Sequence, residues 1–354
     1  MRSFFSIVLH KRYEKMAQQF KHILIIALLI FTLPACQKDQ LFQQSRIAMD
    51  TLATITVVSA SSEEAEKAIQ AGFAEIERLG MLLDYFSESS ELTAINKGAG
   101  KSPVKVSKET LEVIKRAVEV AEMTEGAYDP TVGPVVSLWD FVKSKKPDHT
   151  VLETKLHLVD YRKVHIDQGT VYLEQEGMEL DLGGIAKGYG ADKAINVIKS
   201  LGVQAALVSI AGDIRGYGLK PDSTPWRIGI QNPRAKSDKD NILASLPLKD
   251  LAISTSGDYQ RYFIENGTRY HHLLVPQTGM PAKGLISVSL VAKEGVLADA
   301  LSTGIFVLGM DKGLKIMKHH GVEGLFVDEN QKIFVTPDMA KTLETPEKYI
   351  VINE

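Results

Sequence analysis

The stretch that organises the chain is Glu179-Leu-Asp-Leu-Gly-Gly-Ile-Ala-Lys-Gly-Tyr-Gly-Ala-Asp192. Its pattern predicts a short strand, a turn at Gly183-Gly184, and a helix from Ile185 to about Leu201 that stops at Gly202. This combination can bind a phosphate: an acid at a strand end, two glycines and the start of a helix. Glycines admit a ligand to the backbone, and the free N–H groups of a helix start favour an anion. Lys187 can add a positive charge.

Neither of two common phosphate-binding loops fits this stretch. A Walker A loop has Lys after its last glycine and then Ser or Thr, whereas Lys187 precedes Gly188 and Tyr189 follows. A dinucleotide-binding fingerprint reads GxGxxG, and the order here is GGxxxGxG. A tight turn that merely packs small residues is the alternative interpretation, and Asp181 and Lys187 weigh against it.

The N-terminal region predicts export and lipid anchoring. A basic leader precedes the apolar run Ile23–Leu33, which is too short to cross a bilayer and suits a signal peptide. Leu33-Pro-Ala-Cys36 resembles a bacterial lipobox, so we expect a lipid on Cys36, the only cysteine. The protein would then be anchored to the cell membrane on the periplasmic, extracytoplasmic side. The predicted divisions are a lipoprotein signal peptide at 1–35, a polar tether at 36–46 and one domain at 47–354.

Composition narrows the function further. The net charge is −3 and no long basic run occurs, so nucleic acid is not an expected partner. The expected mature part, Cys36 to Glu354, has 319 residues, enough for one large domain or two lobes. Since only one cysteine is present, no disulfide can form within the mature chain.

Local patterns predict both strands and helices. Leu52–Val58 alternates as a strand, and Ser61–Asp84 reads as a helix with capping-box spacing between Ser61 and Glu64. Ser107 caps a second helix that ends near Gly126. Further strands are expected at 205–209, 226–231, 251–254, 269–274 and 285–292.

A late helix carries a second candidate site. Leu297–Leu308 is almost wholly apolar, yet it contains Asp299 and Thr303, which stand one helical turn apart. A carboxylate and a hydroxyl in this arrangement offer two oxygens to a hard cation such as Mg²⁺. The alternative is an acid near a helix N-terminus with a threonine bonded to its own backbone. An acid in so apolar a helix needs a partner, because a lone buried carboxylate is costly.

Three other segments remain open to two interpretations. Tyr85-Phe86 could stack on a flat ligand or pack on the core. Ser254–Arg261 is rich in hydroxyls and could bind an anion or ribose, or form a polar hairpin turn. Of the adjacent His271 and His272, strand alternation points one inward and one outward, and a single inward histidine is more often structural than catalytic.

Taken in order, these segments resemble one family, the ApbE-type FAD:protein FMN transferases, long described as thiamine-biosynthesis lipoproteins. The resemblance runs from about Met49 to Ile350. The motifs that carry it are Met49-Asp-Thr51, Ser90-Glu-Leu with Asn96, Gly126-Ala-Tyr-Asp-Pro-Thr-Val-Gly-Pro134, Asp181-Leu-Gly-Gly-Ile-Ala-Lys-Gly-Tyr189, Ala211-Gly-Asp-Ile-Arg215, Ser256-Gly-Asp-Tyr259, His272 with Thr278-Gly279, and Ala298-Asp-Ala300 with Thr303.

The resemblance implies an α+β, T-fold-like structure, with mixed or antiparallel sheets and packed helices in two lobes around a flavin groove. It implies Mg²⁺ held by the Gly184 carbonyl, Asp299 and Thr303. The positions that match residues which hold FAD in the family are Met49, Phe86, Ala127, Tyr128, Asp129, Asp181, Lys187 and Leu273. The aromatic residue assigned here as Phe86 could instead be the adjacent Tyr85.

The implied reaction transfers FMN from FAD to a Ser or Thr hydroxyl of a target flavoprotein and releases AMP. A base must take the hydroxyl proton, and His272 is the candidate, with Asp299 or a metal-bound hydroxide as alternatives. The implied partners are FAD and acceptor subunits of membrane redox complexes of the Rnf or Nqr kind. A Mg²⁺-dependent FAD pyrophosphatase that forms FMN and AMP, and a non-catalytic flavin-binding lipoprotein, remain alternative functions.

The chain departs from the family pattern at three places. His272-Leu-Leu-Val-Pro-Gln-Thr-Gly279 carries Val275 where the family has an acid, so any role of that acid in fixing the turn is in question. The family's Gly-Gly-Asp reads Ala211-Gly-Asp213, and its Met-Gly-Thr reads Met49-Asp-Thr51. None of these departures touches the expected metal ligands.

Overall fold

The computed structural model describes Lys21, residues 38–237 and residues 240–352. The predicted lipidation site Cys36 and, apart from Lys21, the predicted signal peptide lie outside the described residues, and both stay predictions. Residues from Gln40 onward form one compact unit.

Strands and helices alternate along this unit. The strands are β1 (Gln40–Ala48), β2 (Thr51–Ser59), β3 (Val104–Lys105), β4 (Val164–Asp167), β5 (Thr170–Leu173), β6 (Ala205–Ile210), β7 (Asp213–Tyr217), β8 (Trp226–Gln231), β9 (Ile242–Leu248), β10 (Ala252–Gly257), β11 (Tyr262–Glu265), β12 (Thr268–His271), β13 (Leu274–Val275), β14 (Met280–Pro281), β15 (Leu285–Ala292), β16 (Glu323–Asp328), β17 (Ile333–Val335) and β18 (Tyr349–Val351). The helices are α1 (Ser62–Leu83), α2 (Glu91–Gly98), α3 (Lys108–Met123), α4 (Gly133–Val136), α5 (His149–Leu156), α6 (Ala186–Ser200), α7 (Gly295–Leu308), α8 (Met310–His320) and α9 (Pro337–Ala340).

One large sheet dominates the described part of the chain. Its strand order is β1-β2-β6-β7-β10-β15-β16-β17-β18. Neighbouring strands are antiparallel except β17 and β18, which run parallel. A smaller sheet has the order β3-β5-β4, and β8-β9, β11-β12 and β13-β14 are hairpins. The α+β class that the resemblance implied is therefore confirmed.

Two helices cover one end of the large sheet. α1 and α6 pack on β1, β2 and β6 around a core that includes Ile55, Phe73, Ile195 and Val208. The apolar residues of α1 recur at helical spacing, and the Ser61 hydroxyl caps the helix by accepting from the Glu64 N–H at 3.3 Å. The predicted helix and its cap are confirmed.

Helix α7 covers the middle of the same sheet. It packs on β10 and β15, and the β8–β9 hairpin belongs to a separate apolar cluster that includes Ile286 and Val291 of β15. Because side chains on both faces of β15 are covered, every residue of Leu285–Ala292 is buried. That double coverage explains why this strand is almost continuously apolar.

The expected tether at 36–46 is contradicted from Gln40 onward. Gln40–Ala48 form β1, which pairs along its whole length with β2. Met49 and Asp50 join the two strands with φ of 51° and 57°, as a two-residue hairpin turn with two left-handed residues requires. The strand is polar because it lies at the sheet edge and alternate residues face solvent.

Two other boundaries differ from the predictions. The strand expected at 269–274 is interrupted, since β12 ends at His271 and β13 begins at Leu274. Helix α7 begins at Gly295, ahead of the expected start at Leu297. Helix α6 ends before Gly202, whose φ of 88° matches the predicted stop. Among the described residues, no helix combines the length and the apolar character needed to cross a bilayer.

Candidate active site

The diglycine turn leads directly into α6. Glu179 makes an isolated bridge with Val132, so the expected strand is reduced to a single paired residue. Asp181 then folds over the turn, and its Oδ1 accepts from the Gly183 N–H at 2.7 Å. Burial raises the pKa of Asp181, whereas that N–H, Arg261 and Lys187 favour the charged form. The acid therefore shapes the turn as well as facing the site.

Gly184 brings the turn against α7. A Cβ built on Gly184 would lie 3.4 Å from Thr303 Oγ1 and 3.3 Å from a ring carbon of Tyr128. A Cβ at this position would therefore touch both side chains, so the turn packs closely against them. The structure thus brings together Gly184 and Thr303, which the resemblance had assigned to one metal site.

Asp299 lies one turn before Thr303 and reaches α6. Its Oδ2 accepts from the Gly188 N–H at 2.9 Å and lies 3.5 Å from Lys187 Nζ. Burial and the nearby Asp213 raise the pKa of Asp299 to about 7, against the opposing effect of Lys187. The partner that this buried carboxylate required is therefore Lys187, together with the start of α6.

Asp213 is a site residue that the sequence reasoning missed. Its Oδ2 lies 2.9 Å from Lys187 Nζ, and its other oxygen accepts from the Ser254 hydroxyl. Asp213 had been noted only as the acid of a small-residue turn, because the identity of its partner depends on how β7 and α6 pack. The hydroxyl-rich segment that starts at Ser254 also contributes to the site through this bond.

A second hydroxyl of β10 contacts the helix that carries Asp299 and Thr303. Ser256 Oγ lies 2.8 Å from Ser302 Oγ and 3.2 Å from Thr303 Oγ1. Ser302 Oγ donates in turn to the Asp299 carbonyl at 2.9 Å. Ser254 and Ser256 are two residues apart on one strand, so both face α7 and the site.

The charges at the site leave a surplus of negative groups. Burial works against the charged form of Lys187, but the carboxylates of Asp213 and Asp299 outweigh it and raise the pKa of its ammonium group. Lys187 Nζ also donates to the Gly183 carbonyl at 3.1 Å. One ammonium group thus faces two buried carboxylates, so the remaining negative charge would stabilise a bound cation.

Tyr128 adds an unpartnered polar atom to this place. Its hydroxyl is buried and has no hydrogen-bond partner within the described residues. Burial, followed by the charges of Asp299, Asp181 and Asp129, raises its pKa well above the usual value. Buried hydroxyls are normally satisfied, so this one points to a ligand or water at the site.

These observations fit a hard divalent cation. One carboxylate, one hydroxyl and one main-chain oxygen are the oxygen ligands that Mg²⁺ accepts, with waters or phosphates for the remainder. In the described part of the chain, no three His, Cys, Asp or Glu side chains group as a metal site. The predicted set of Gly184, Asp299 and Thr303 differs from such a cluster because it contains one acid.

His272 lies beside Arg261 at the end of β12. Its Nδ1 is 3.3 Å from the Arg261 carbonyl, and its backbone N–H donates to the same oxygen at 3.1 Å. A proton on Nδ1 therefore leaves the Nε2 lone pair free. Burial, followed by the charge of Arg261, lowers the pKa of His272 to about 4. His271 is the inward histidine, with Nε2 3.0 Å from the Ala282 carbonyl.

Some of the expected flavin-binding residues lie near α6 and the diglycine turn, and two others differ in how far they are exposed to solvent. Met49 lies beside α6, since a Cβ on Gly190 would be 3.3 Å from its sulfur. Ala127 and Tyr128 are buried next to the turn. Phe86 is 84% exposed, whereas Leu273 is buried. These assignments stay predictions.

Tyr85 and Asp129 have structural partners. The Tyr85 hydroxyl donates to Glu179, so Tyr85 faces the diglycine stretch while Phe86 points outward, its ring edge-on to Tyr85 at 5.2 Å. Both oxygens of Asp129 are used within the loop, by the Thr131 N–H and hydroxyl and by the Tyr161 N–H. The Asp129 carboxylate therefore helps to fix the conformation of the loop.

The turn that carries Val275 needs no acid to close it. The Val275 carbonyl accepts from the Thr278 N–H at 3.1 Å and from the Gly279 N–H at 2.8 Å. Gln277 Nε2 donates to the Gly126 carbonyl at 3.0 Å and ties the turn to the loop that contains Tyr128. Backbone hydrogen bonds thus close this turn with Val275 in place.

Comparison with known proteins places all of these residues in one matched region. A family model described as "ApbE family" matches residues 49–326. An FAD:protein FMN transferase from Treponema pallidum (strain Nichols) is 34% identical over 312 residues, which cover 82% of this chain and 86% of that protein. The crystal structure of the ApbE protein from Thermotoga maritima is 34% identical with a TM-score of 0.78, and covers 86% of this chain and 99% of that chain. The flavin transferase ApbE from Vibrio cholerae is 28% identical with a TM-score of 0.77, over 86% of this chain and 99% of that chain.

Proposed function

This chain belongs to the ApbE family, and we infer that it is an FAD:protein FMN transferase, which moves FMN from FAD to another protein. We further propose that the accepting atom is a Ser or Thr hydroxyl oxygen, that AMP leaves, and that Mg²⁺ is required.

The observation that carries the proposal is the convergence of α6 and α7. Gly184 at the diglycine turn meets Thr303, and Asp299 on the same helix meets Lys187 and the Gly188 N–H. Two features that were separately ambiguous in the sequence, a glycine turn and an acid in an apolar helix, become one polar site. A diphosphate needs such a combination of N–H groups, a lysine and a cation.

We propose that Gly184, Asp299 and Thr303 hold Mg²⁺. When bound, Mg²⁺ neutralises charge that develops on the phosphate oxygens of FAD. Lys187 adds a second positive charge, because its ammonium lies at the entrance of α6 and is held by Asp213 and Asp299. The rigid turn orients the diphosphate and lowers the entropic cost of reaching the transition state.

The transfer itself is a substitution at phosphorus. The acceptor hydroxyl oxygen forms a bond to the phosphorus of the FMN half, and the bond from that phosphorus to the bridging oxygen breaks. AMP departs with the bridging oxygen, and the hydroxyl proton passes to a base. The products are AMP and a phosphoester-linked flavoprotein.

We propose His272 as that base. Its Nδ1 is held by the Arg261 carbonyl, so Nε2 is available as acceptor, and a pKa of about 4 keeps the ring neutral at physiological pH. An imidazole of such low pKa is a weak base. The negative phosphates of bound FAD would raise the pKa of His272 and so strengthen it.

Mass spectrometry tests the proposal directly. The protein is incubated with FAD, Mg²⁺ and a candidate acceptor subunit of a membrane redox complex. We expect the acceptor to gain the mass of one phosphoester-linked FMN, with one AMP released per acceptor. Fast AMP release without any acceptor would instead identify a pyrophosphatase.

The Asp299→Ala variant tests the metal assignment. We expect transfer to be lost while the variant still binds FAD, measured by flavin fluorescence. Transfer at the normal rate would contradict the assignment of Asp299. Thr303→Val provides a second variant, because it removes only the hydroxyl and keeps the shape of the side chain.

We also propose that the enzyme works at a membrane surface outside the cytoplasm, held there by a lipid on Cys36. The lipobox-like Leu33-Pro-Ala-Cys36 after an apolar run supports this proposal. Acceptor subunits that face the same compartment would then be its partners.

A further inference from the structure

Helix α7 begins without a cap of its own. Glu294, at the N-cap position, makes no side-chain hydrogen bond to the first turn. Instead, the Gly295 N–H donates to Asp192 Oδ1 at 2.8 Å and the Val296 N–H donates to Asp192 Oδ2 at 2.9 Å. The free N–H groups at the start of α7 are therefore satisfied by a carboxylate from the middle of α6.

Asp192 is itself held by β7. Arg215 Nε lies 3.1 Å from Asp192 Oδ1, and both side chains are largely buried. Asp213 precedes Arg215 by two residues, so both side chains leave β7 on one face. Strand β7 thus contacts α6 twice with opposite charges, through Asp213 with Lys187 and through Arg215 with Asp192.

The two helices meet in direct backbone contact beside Asp192. A Cβ on Gly188 would lie 2.2 Å from the Gly295 carbonyl oxygen, and one on Gly295 would lie 2.6 Å from the Gly188 oxygen. No side chain separates the helices at this crossing. The position of α7 along α6 is therefore determined by the glycine pair and by the two bonds to Asp192.

Every residue assigned to the metal depends on that position. Asp299 is one turn beyond Gly295 on α7, and Thr303 is one turn further. A small slide or rotation of α7 would carry both oxygens away from Gly184, which belongs to the turn before α6. The bond from Asp299 to the Gly188 N–H would break in the same movement.

We propose that Asp192 is a positioning residue for the metal site, which sets the height and rotation of α7 and thereby places Asp299 and Thr303 opposite Gly184. The proposal rests on the function proposed above, in which these residues bind Mg²⁺. Asp192 itself touches neither the metal ligands' oxygens nor the diglycine turn in the described contacts. Arg215 supports it by neutralising its charge and fixing its orientation.

The test is a metal titration of the metal-free protein, with FAD and acceptor absent. Mg²⁺ is titrated by calorimetry, and Mn²⁺ by electron paramagnetic resonance, into wild type, Asp192→Ala and Asp192→Asn. We expect about a 10-fold or greater rise in the metal Kd for Asp192→Ala, the size seen when supports of metal ligands are removed. Asp192→Asn keeps one acceptor oxygen, so its Kd should lie between the two.

Asp148→Ala is the matched control. Asp148 also accepts from two N–H groups at a helix start, but it is the local cap of α5: its Oδ1 accepts from the Thr150 and Val151 N–H groups at 2.9 and 3.3 Å. Both alanine variants should lower Tm because each loses a helix cap, and Asp192→Ala should lower it further because it leaves the largely buried Arg215 without its partner. Only the Asp192 variants should weaken metal binding.

Two outcomes would overturn the inference. A wild-type metal Kd in Asp192→Ala would show that Asp192 is only a cap, and an equal loss in Asp148→Ala would show a general effect of lower stability. If Asp192→Ala does not fold, Asp192→Asn decides, and a wild-type Kd there contradicts the proposal.

Asp299→Ala distinguishes failure of the positioning role from failure of the metal site. If this variant binds Mg²⁺ like wild type, the proposed metal site itself is wrong.

Kinetics offers a further distinction from a purely structural role. If α7 is displaced, FAD still meets the turn and Lys187, so KM for FAD should change little while kcat falls. A loss caused by partial unfolding would lower the active fraction and leave the metal dependence of the remaining enzyme unchanged. A changed Mg²⁺ requirement in Asp192→Asn supports the positioning role.

Discussion

Lys187 is the residue on which the charge of the site depends. It lies 2.9 Å from Asp213 and 3.5 Å from Asp299, and its ammonium is the positive charge that the structure places against these two buried carboxylates. Its position in the first turn of α6 could be predicted from the sequence, whereas its pairing with Asp213 could not. That pairing joins residues far apart in the chain, and neither has a local signal for the other.

We predict that Lys187→Met makes the fold depend on a divalent cation. Loss of the ammonium leaves two buried carboxylates uncompensated, so the metal-free variant should lose about 3 kcal/mol of unfolding free energy. Mg²⁺ should restore more stability in the variant than in wild type, because it replaces the missing charge. Urea unfolding with and without Mg²⁺ measures this; equal stabilisation of both proteins would contradict it.

We predict that metal binding weakens as the pH falls through 7. Burial and Asp213 raise the pKa of Asp299 to about 7, so its carboxylate is charged above that pH and protonated below it. Because the cation needs the charged form, Mg²⁺ affinity should fall by about tenfold for each pH unit below the pKa. Titrations of metal-free protein at pH 6, 7 and 8 test this, and a constant affinity would disprove it.

The control for this pH dependence is Asp299→Asn. Its residual metal binding should be weak and should not vary between pH 6 and 8. His272 does not contribute to this pH dependence, because its pKa of about 4 keeps the ring neutral between pH 6 and 8.

At the scale of elements, local signals worked where the stabilising partner is close in sequence. Ser61 and Ser107 mark helix starts, and each hydroxyl accepts an N–H three residues ahead. The start of α7 was misplaced because its cap is Asp192 on another helix. Strand β1 was missed because a polar edge strand lacks a clear alternation, and its pairing with β2 comes mainly from backbone bonds.

We predict that Gly188→Ala separates α6 from α7. Its Cβ would meet the Gly295 carbonyl at 2.2 Å, and backbone cannot give way as a side chain can. We expect a loss of about 2 kcal/mol in unfolding free energy and loss of FMN transfer. Urea unfolding and the acceptor mass assay measure the two effects.

The matched control is Gly72→Ala in α1. Its Cβ would meet the ends of the Ile55 and Ile198 side chains at 2.8 and 3.0 Å, which can adjust. Transfer should therefore survive in Gly72→Ala. Equal activity of both variants would mean that the helix crossing does not control the site.

At the scale of the whole molecule, the family resemblance carried more than the local patterns did. The α+β class and the meeting of the diglycine turn with the acid-bearing helix followed from it. The sheet order did not, because β7 lies between β6 and β10 and the chain visits β8 and β9 before returning to β10. Such non-local pairings leave no periodic trace in the residues that form them.

We predict that Cys36→Ser moves the protein from the membrane to the soluble fraction outside the cytoplasm. The substitution removes the thiol that would carry the lipid. Fractionation with immunodetection measures the change, and FMN transfer to an acceptor in detergent should stay at the wild-type level. Wild-type protein whose N-terminal peptide carries no lipid mass would contradict lipidation at Cys36.

Because β1 starts at Gln40, only three residues separate it from Cys36. A fully extended chain covers about 3.5 Å per residue, so the linker from Cys36 to Gln40 spans roughly 14 Å at most. If Cys36 carries the proposed lipid, an enzyme on so short a linker cannot diffuse through the volume of its compartment. It would diffuse laterally in the plane of the bilayer and meet its targets there. A target protein released into bulk solution would then not be flavinylated, however well its hydroxyl fits the site.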